Sequence, residues 1–321
     1  VDKVEPGKAE VTRLDQFALV TAGIRCCIHT PMTDVLSNSD ELTGVDPIAH
    51  VEAIVRRAGT SFFWAMRRLE EDKRNAMYAI YAFCREVDDI ADEPGDVEEK
   101  KLALGIWRGE IERLFADRPR NPTACALARP IDQYGLNKED FRAVIDGMDM
   151  DAEPSIRIKN MAELELYCDR VACAVGRLSV RVFGVNDDIG IKLSYAQGQA
   201  LQLTNILRDI VEDTERDRLY LPRDLLVSHD IDPDDLTALI KHPNLPTVCE
   251  LLADIAERRF GEAWALASQC KHSDVRPAVM MMAIYHQILK KLVSRGWRNL
   301  SSPVKLSKLD KIWAMLRYGI F

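Results

Sequence analysis

The 321-residue chain contains no run of eighteen or more apolar residues, the length a helix needs to cross a bilayer. Its nearest approach, "FALVTAGI" at 17–24, is cut by Arg25 and follows acidic residues, so neither a membrane anchor nor a signal peptide is expected. A basic excess is also missing. The formal charge of −8 excludes broad nucleic-acid binding, which draws its affinity from neutralising phosphates, so any phosphate chemistry must be local or metal-mediated. None of the eight cysteines forms a CxxC. Cys84, Cys125, Cys168, Cys173, Cys249 and Cys270 sit inside apolar or helical patterns and read as reduced core thiols of a cytoplasmic protein. Cys26 and Cys27 lie outside those patterns and receive no role. There is no Gly-rich dinucleotide fingerprint, internal repeat or low-complexity tract. His229, His242, His272 and His286 show no metal-ligand spacing.

What is present is helical. With 47% hydrophobic and 29% charged residues, the chain has enough apolar material for one large core or two modest ones. Residues 1–45 are mixed in composition and are set apart as an N-terminal extension, leaving 46–321 as a single domain. From "DPIAHVEAIVRRAG" onward the pattern is helical, with Asp46 and Pro47 as a helix start. Breaks at "DEPGD", "DRPRNP", "DAEPS", "FGVNDD", "LPRD", "KHPNLP" and "SSP" cut the rest into segments of helical length. In 160–183, Leu164, Tyr167, Val171, Val175, Leu178 and Val182 recur in steps of three and four, one face of a helix. No strands alternate with these helices, so the expected fold is all-α, with helices long enough to surround a central cavity.

"CREVDDIAD" at 84–92 concentrates three aspartates beside an arginine. On a helix, Asp88 and Asp92 share a face with Tyr81 and Arg85, while Asp89 points away by roughly 100°. Like charges at this spacing cost an isolated helix a few tenths of a kcal/mol, so local stability does not explain them. Alone, the motif is weak and reads first as a solvated acidic face. A second stripe changes the weighing. In "QLTNILRDIVEDTERDRLYLP", Asn205, Asp209 and Asp213 fall at i, i+4 and i+8, with Arg208 adjacent and Arg218 and Tyr220 just beyond. These polar residues lie among Leu203, Ile206, Leu207 and Ile210. Carboxylate and amide oxygens suit Mg²⁺, which binds protein carboxylates together with substrate phosphates and keeps several waters. Two such stripes with arginines between them make a diphosphate site.

A diphosphate neutralised by metal and arginine becomes a leaving group, and its departure leaves an allylic carbocation. That cation needs a dry pocket with π faces. Phe62, Phe63, Trp64, Tyr78, Phe83 and Tyr285 lie in segments able to line one, although each alone reads first as core packing.

"YAIYAFCREVDDIAD", "YCDRVACAVG" and "QLTNILRDIVEDTERDRLYLP" resemble the signature blocks of the squalene and phytoene synthase family, the head-to-head prenyl synthases. The resemblance spans roughly residues 50–300 with the blocks in order. Around "YCDRVA" and "GRLSVRVFG" it is most similar to the branch that serves bacterial hopanoid pathways. The resemblance implies an isoprenoid-synthase fold and Mg²⁺, or Mn²⁺, on Asp88, Asp92, Asn205, Asp209 and Asp213. It places diphosphates against Ser61, Tyr81, Arg85, Arg208, Arg218 and Tyr220, with Tyr167 and Tyr285 near the reacting carbons. The implied reaction joins two farnesyl diphosphates into presqualene diphosphate, without nicotinamide. Its implied partners are isoprenoid diphosphate substrates and downstream pathway enzymes, at the inner face of a membrane with which the cytoplasmic enzyme associates peripherally.

Two departures from the family pattern stand out. Arg170 occupies the place of a tyrosine that many members carry in YCxYVAG; it either holds the remaining diphosphate or pairs with a nearby carboxylate. Ser301 and Ser302 stand where the family is often more basic, so one phosphate contact is either missing or moved to Lys305. The alternatives are a synthase that completes the rearrangement to squalene or a phytoene-like product, a class I terpene cyclase, and a non-catalytic helical cation- or partner-binding module. The apolar "WAMLRYGIF" at the C-terminus reads either as helix packing or as a lipid-facing segment.

Overall fold

The computed structural model describes residues 45–59, 63, 66–304 and 306. Ser61, Phe62, Trp64, Lys305, Cys26, Cys27 and the C-terminal "WAMLRYGIF" lie outside them. Helix α1 (Pro47–Ala58) starts as the sequence predicts: the Asp46 side chain accepts from the Ile48 amide at 3.1 Å, Pro47 occupies the first turn, and Gly59 closes the helix at φ 60°. Then come α2 (Glu71–Asp92), α3 (Val97–Leu114), α4 (Pro122–Tyr134) and α5 (Lys138–Asp151). After β1 (Ile156–Arg157) the chain forms α6 (Met161–Cys168), a π-helical stretch (Asp169–Cys173), α7 (Ala174–Phe183) and α8 (Asp187–Thr214). Next are β2 (Arg218–Leu219), short α9 (Arg223–Val227) and α10 (Leu236–Ile240), and the long α11 (Leu245–Ala267) and α12 (His272–Arg295).

The predicted breaks from "DEPGD" to "KHPNLP" fall at the junctions between elements, and "SSP" follows α12, the last described helix. Others were missed, among them Gly135–Asn137, where Gly135 takes φ 60° to end α4, Ser228–Asp235 between α9 and α10, and Ser268–Lys271 before α12. Two further differences bear on the site. First, β1 and β2 pair in parallel, with Ile156 opposite Arg218 and Arg157 opposite Leu219; two residues are too few to show a period of two. Second, 160–183 is not one regular helix, because the π-helical stretch interrupts it. Its wider turn fits between two glycines. A Cβ on Gly147 of α5 would lie 2.5 Å from Val171 Cγ1, and one on Gly198 of α8 would lie 2.8 Å from the Cys173 backbone. Such insertions often occur at functional sites.

α8 is the central element, packed on α11, α7, α12 and the π-helical stretch, while α2 packs on α1, α4, α5 and α7. Phe83, named as able to line a cavity but read first as core packing, is core: it meets Trp107 and Phe141 edge-on at 5.3 and 5.2 Å. Tyr78 is buried against Phe63. The six described cysteines are free and at least half-buried, as the sequence predicts. His286 bonds Glu257 at 2.8 Å and stacks on Phe260, a structural role. No described helix is long and apolar enough to cross a membrane.

Candidate active site

Helix α2 carries the first stripe. The helical period puts Tyr81, Arg85, Asp88 and Asp92 on one side. Tyr81 is buried, and its hydroxyl has no hydrogen-bond partner among the described residues. Arg85 reaches Asp89, with Nε–Oδ2 at 2.9 Å, and is also drawn by the charge of Asp88 on the stripe. Asp89, expected to point away, is thus the acid that holds Arg85 in place. Burial raises the Asp88 carboxyl well above its ordinary pKa, and the neighbouring Asp92 charge pushes it the same way. Two close carboxylates that resist joint ionisation are relieved by a cation between them.

The second stripe lies on α8. Arg208 clasps Asp209 with two bonds, Nε–Oδ1 at 2.8 Å and Nη2–Oδ2 at 2.6 Å. Its guanidinium also bonds the buried hydroxyl of Tyr285 on α12, which interacts in turn with Asn205. Asn205 is buried and donates to Gln202 at 3.2 Å. Tyr285, Arg208, Asp209 and Asn205 therefore form one connected group.

A third group joins the two stripes. In the extended segment at β2, residues 218 and 220 share a face because side chains alternate. The pairing with β1, through Ile156 N to Asp217 O at 3.1 Å and Ile158 N to Leu219 O at 3.3 Å, fixes that face toward the end of α5. Arg218 donates Nη1 to Asp92 Oδ1 at 2.8 Å and Nη2 to the Asp151 carbonyl at 3.2 Å. The Tyr220 hydroxyl donates to Asp151 Oδ1 at 2.8 Å and the Tyr167 hydroxyl to Oδ2 at 3.0 Å. Their rings stack with centroids 4.9 Å apart at 26°. The charge of Asp213 on α8 raises the Tyr220 phenol further, so the second stripe also reaches this group. Burial pushes Asp151 up to about 6, against the opposing pull of Arg218 and the Tyr220 hydrogen bond.

Asp151 was missed by sequence reasoning. It ends "DGMDMD", where Asp146 and Asp149 are engaged by Arg108 on the outer side of α5, and nothing in the string separates it from them. Tyr220, expected against a diphosphate, gives its hydroxyl hydrogen to Asp151. Arg170 is not brought to either stripe: its Nη1 lies 3.3 Å from Met150 Sδ and its Nη2 3.9 Å from Asp146, the carboxylate alternative considered from the sequence. Asp169 is taken by Arg177 at 2.7 Å. Ser61 is outside the described residues.

Among the described residues no three acidic, histidine or cysteine groups converge closely enough to hold a metal ion. The donor set fits Mg²⁺ in another way: hard oxygens on two helices supply one or two ligands each, and the ion's remaining positions go to water and substrate phosphate.

An all-α bundle with two acid-and-arginine helices around buried tyrosines is an isoprenoid-synthase architecture. The model of the squalene/phytoene synthase family matches residues 55–310, and the chain belongs to that family. It is 46% identical over 262 residues to the presqualene diphosphate synthase of Zymomonas mobilis, covering 81% of this chain and 89% of that one. To the presqualene diphosphate synthase of Rhodopseudomonas palustris it is 42% identical, covering 86% and 97%. Among solved structures it is similar to a squalene synthase from Alicyclobacillus acidocaldarius at TM-score 0.71, with 27% identity and coverage of 78% and 94%. A dehydrosqualene synthase bound to a ligand shares the fold at TM-score 0.73, with 24% identity and coverage of 85% and 95%.

Proposed function

We propose that this chain is a prenyltransferase that condenses two farnesyl diphosphates head-to-head into presqualene diphosphate and one free diphosphate, and that it works with Mg²⁺. The observation that carries the reading is the continuous chain from Asp92 through Arg218 and Asp151 to Tyr167 and Tyr220, which sets a cationic diphosphate contact beside two buried aromatic rings. The two relatives named for this reaction support the product assignment.

Asp88, Asp92, Asn205, Asp209 and Asp213 would hold the metal, which neutralises charge on the leaving diphosphate. Arg85, Arg208 and Arg218 orient the two diphosphates, and Tyr81 offers its buried hydroxyl. As the donor's C1–O bond breaks, its electron pair leaves with the diphosphate and an allylic cation remains. The acceptor's C2–C3 double bond attacks donor C1, placing positive charge on acceptor C3. Loss of a proton from donor C1 then closes the cyclopropane, and the acceptor keeps its diphosphate. Tyr167, Tyr220 and Tyr285 face these carbons with π surface and exclude water. A product with two long apolar chains calls for peripheral association with a membrane.

The test is incubation with farnesyl diphosphate and Mg²⁺ without nicotinamide, with product masses taken before and after phosphatase. A thirty-carbon monodiphosphate is expected. A diphosphate-free thirty-carbon hydrocarbon would assign the completed rearrangement instead, and fifteen-carbon products alone would assign a cyclase.

A further inference from the structure

Asp151 is a buried carboxylate whose two oxygens accept from phenols on different elements, Tyr167 at 3.0 Å and Tyr220 at 2.8 Å, while its carbonyl accepts from Arg218 at 3.2 Å. Sequestering a carboxylate is costly, and well-packed apolar side chains at the same three positions would hold the fold at no such cost. The arrangement has a chemical consequence. Both hydroxyls lie on Asp151 and also bond each other, so their hydrogens are spent within this group and each phenol presents lone pairs and ring faces in other directions. The rings are held nearly parallel, 4.9 Å apart. The carboxylate charge polarises both rings through their hydrogen bonds, yet its oxygens are covered by two hydroxyls and are shielded from alkylation by a nearby cation.

We propose that Asp151 is a positioning residue for the condensation, acting through Tyr167 and Tyr220 to hold the stacked phenols with their electron-rich sides toward the allylic cation. The inference rests on the head-to-head reading above. Four groups flank it: Arg218 at its carbonyl, Asp92 beyond Arg218, Asp88 on α2, and Asp213 near Tyr220.

The test compares Asp151→Asn, the pair Tyr167→Phe with Tyr220→Phe, and the triple variant, each checked for folding by its melting temperature. An amide at 151 keeps the shape but accepts well from only one phenol. With wild type active, Asp151→Asn should lower kcat about tenfold to a hundredfold with KM for farnesyl diphosphate within about twofold. The fraction of substrate released as fifteen-carbon alcohol should rise. Added to the double phenylalanine variant, the same substitution should change kcat less than about threefold, because the groups it acts through are gone. Wild-type kcat in Asp151→Asn, or a full-sized loss that persists in the phenylalanine background, would overturn the proposal. So would an Asp151→Asn chain that is unfolded at the assay temperature while the triple variant folds and matches the double variant in kcat, since the role is then structural. If the wild type makes no thirty-carbon product, the reading beneath the inference fails and both fall; if it does, and Asp151→Asn equals it, the inference alone fails.

Discussion

Arg218 donates to Asp92 Oδ1 at 2.8 Å across 126 positions of sequence, tying the end of the first acidic helix to the segment that follows the second. Both side chains are mostly covered, at 15% and 20% exposure, so the pair sits in a medium where charge acts strongly. The guanidinium holds the carboxylate; under the proposed function, a diphosphate and metal would compete for the two partners.

Arg218→Gln removes that cation while keeping an amide donor for the Asp151 carbonyl. Turnover should fall about a hundredfold or more, the scale expected for losing a preorganised group that stabilises a leaving anion. Steady-state kinetics with farnesyl diphosphate check it. Turnover within a few-fold of wild type would remove Arg218 from the diphosphate site.

Asp88→Asn and Asp209→Asn each delete a carboxylate from one stripe. Each should lower turnover by about a thousandfold at fixed Mg²⁺, and excess chelator should abolish wild-type turnover until Mg²⁺ or Mn²⁺ is restored. Asp88→Asn should leave the fold intact, because its neutral amide removes the repulsion with Asp92. Activity that survives chelator, or survives in either variant, contradicts the metal assignment.

The Asp151 carboxyl, raised to about 6 by burial, gives a signed pH effect on stability. A folded-state value above the unfolded one means that the folded chain binds the proton more tightly. This contribution is therefore fully present below the unfolded value near 4, and is lost as pH rises through about 6. In metal-free protein, wild type should gain stability relative to Asp151→Asn as pH falls from about 7 to 4, by on the order of 3 kcal/mol at most. Urea unfolding of both proteins across that range measures it; parallel curves would contradict the shift.

Gly198→Ala and Gly261→Ala should move stability in opposite directions. A methyl at 198 would press against the Cys173 backbone at 2.8 Å, so a loss of about 2–3 kcal/mol is expected as the π-helical stretch is forced outward. Gly261 lies exposed within α11 with nothing within 4 Å of an added Cβ, so alanine should stabilise by up to about 1 kcal/mol. Urea unfolding reads both, and a neutral Gly198→Ala would refute the close packing.

The helices and both stripes were legible because period and capping are local: Asp46 with Pro47 marks α1, and Asn205, Asp209 and Asp213 recur at one helical face. What joins the stripes was not. Tyr167 and Tyr220 meet on Asp151 from 16 and 69 positions away, and no spacing rule links them. Arg170, which replaces a family tyrosine, was read either as a diphosphate contact or as the partner of a nearby carboxylate, and it lies by Met150 and Asp146 on the π-helical stretch. The β1–β2 pairing that aims Arg218 and Tyr220 is only two residues long, below what alternation can reveal.

The most direct measurement supplies farnesyl diphosphate carrying deuterium at both C1 hydrogens, with Mg²⁺ and without nicotinamide, and weighs the thirty-carbon product. Cyclopropane closure by proton loss from donor C1 predicts a monodiphosphate that keeps three of the four labels. A product retaining all four, or no thirty-carbon diphosphate at all, would contradict the account.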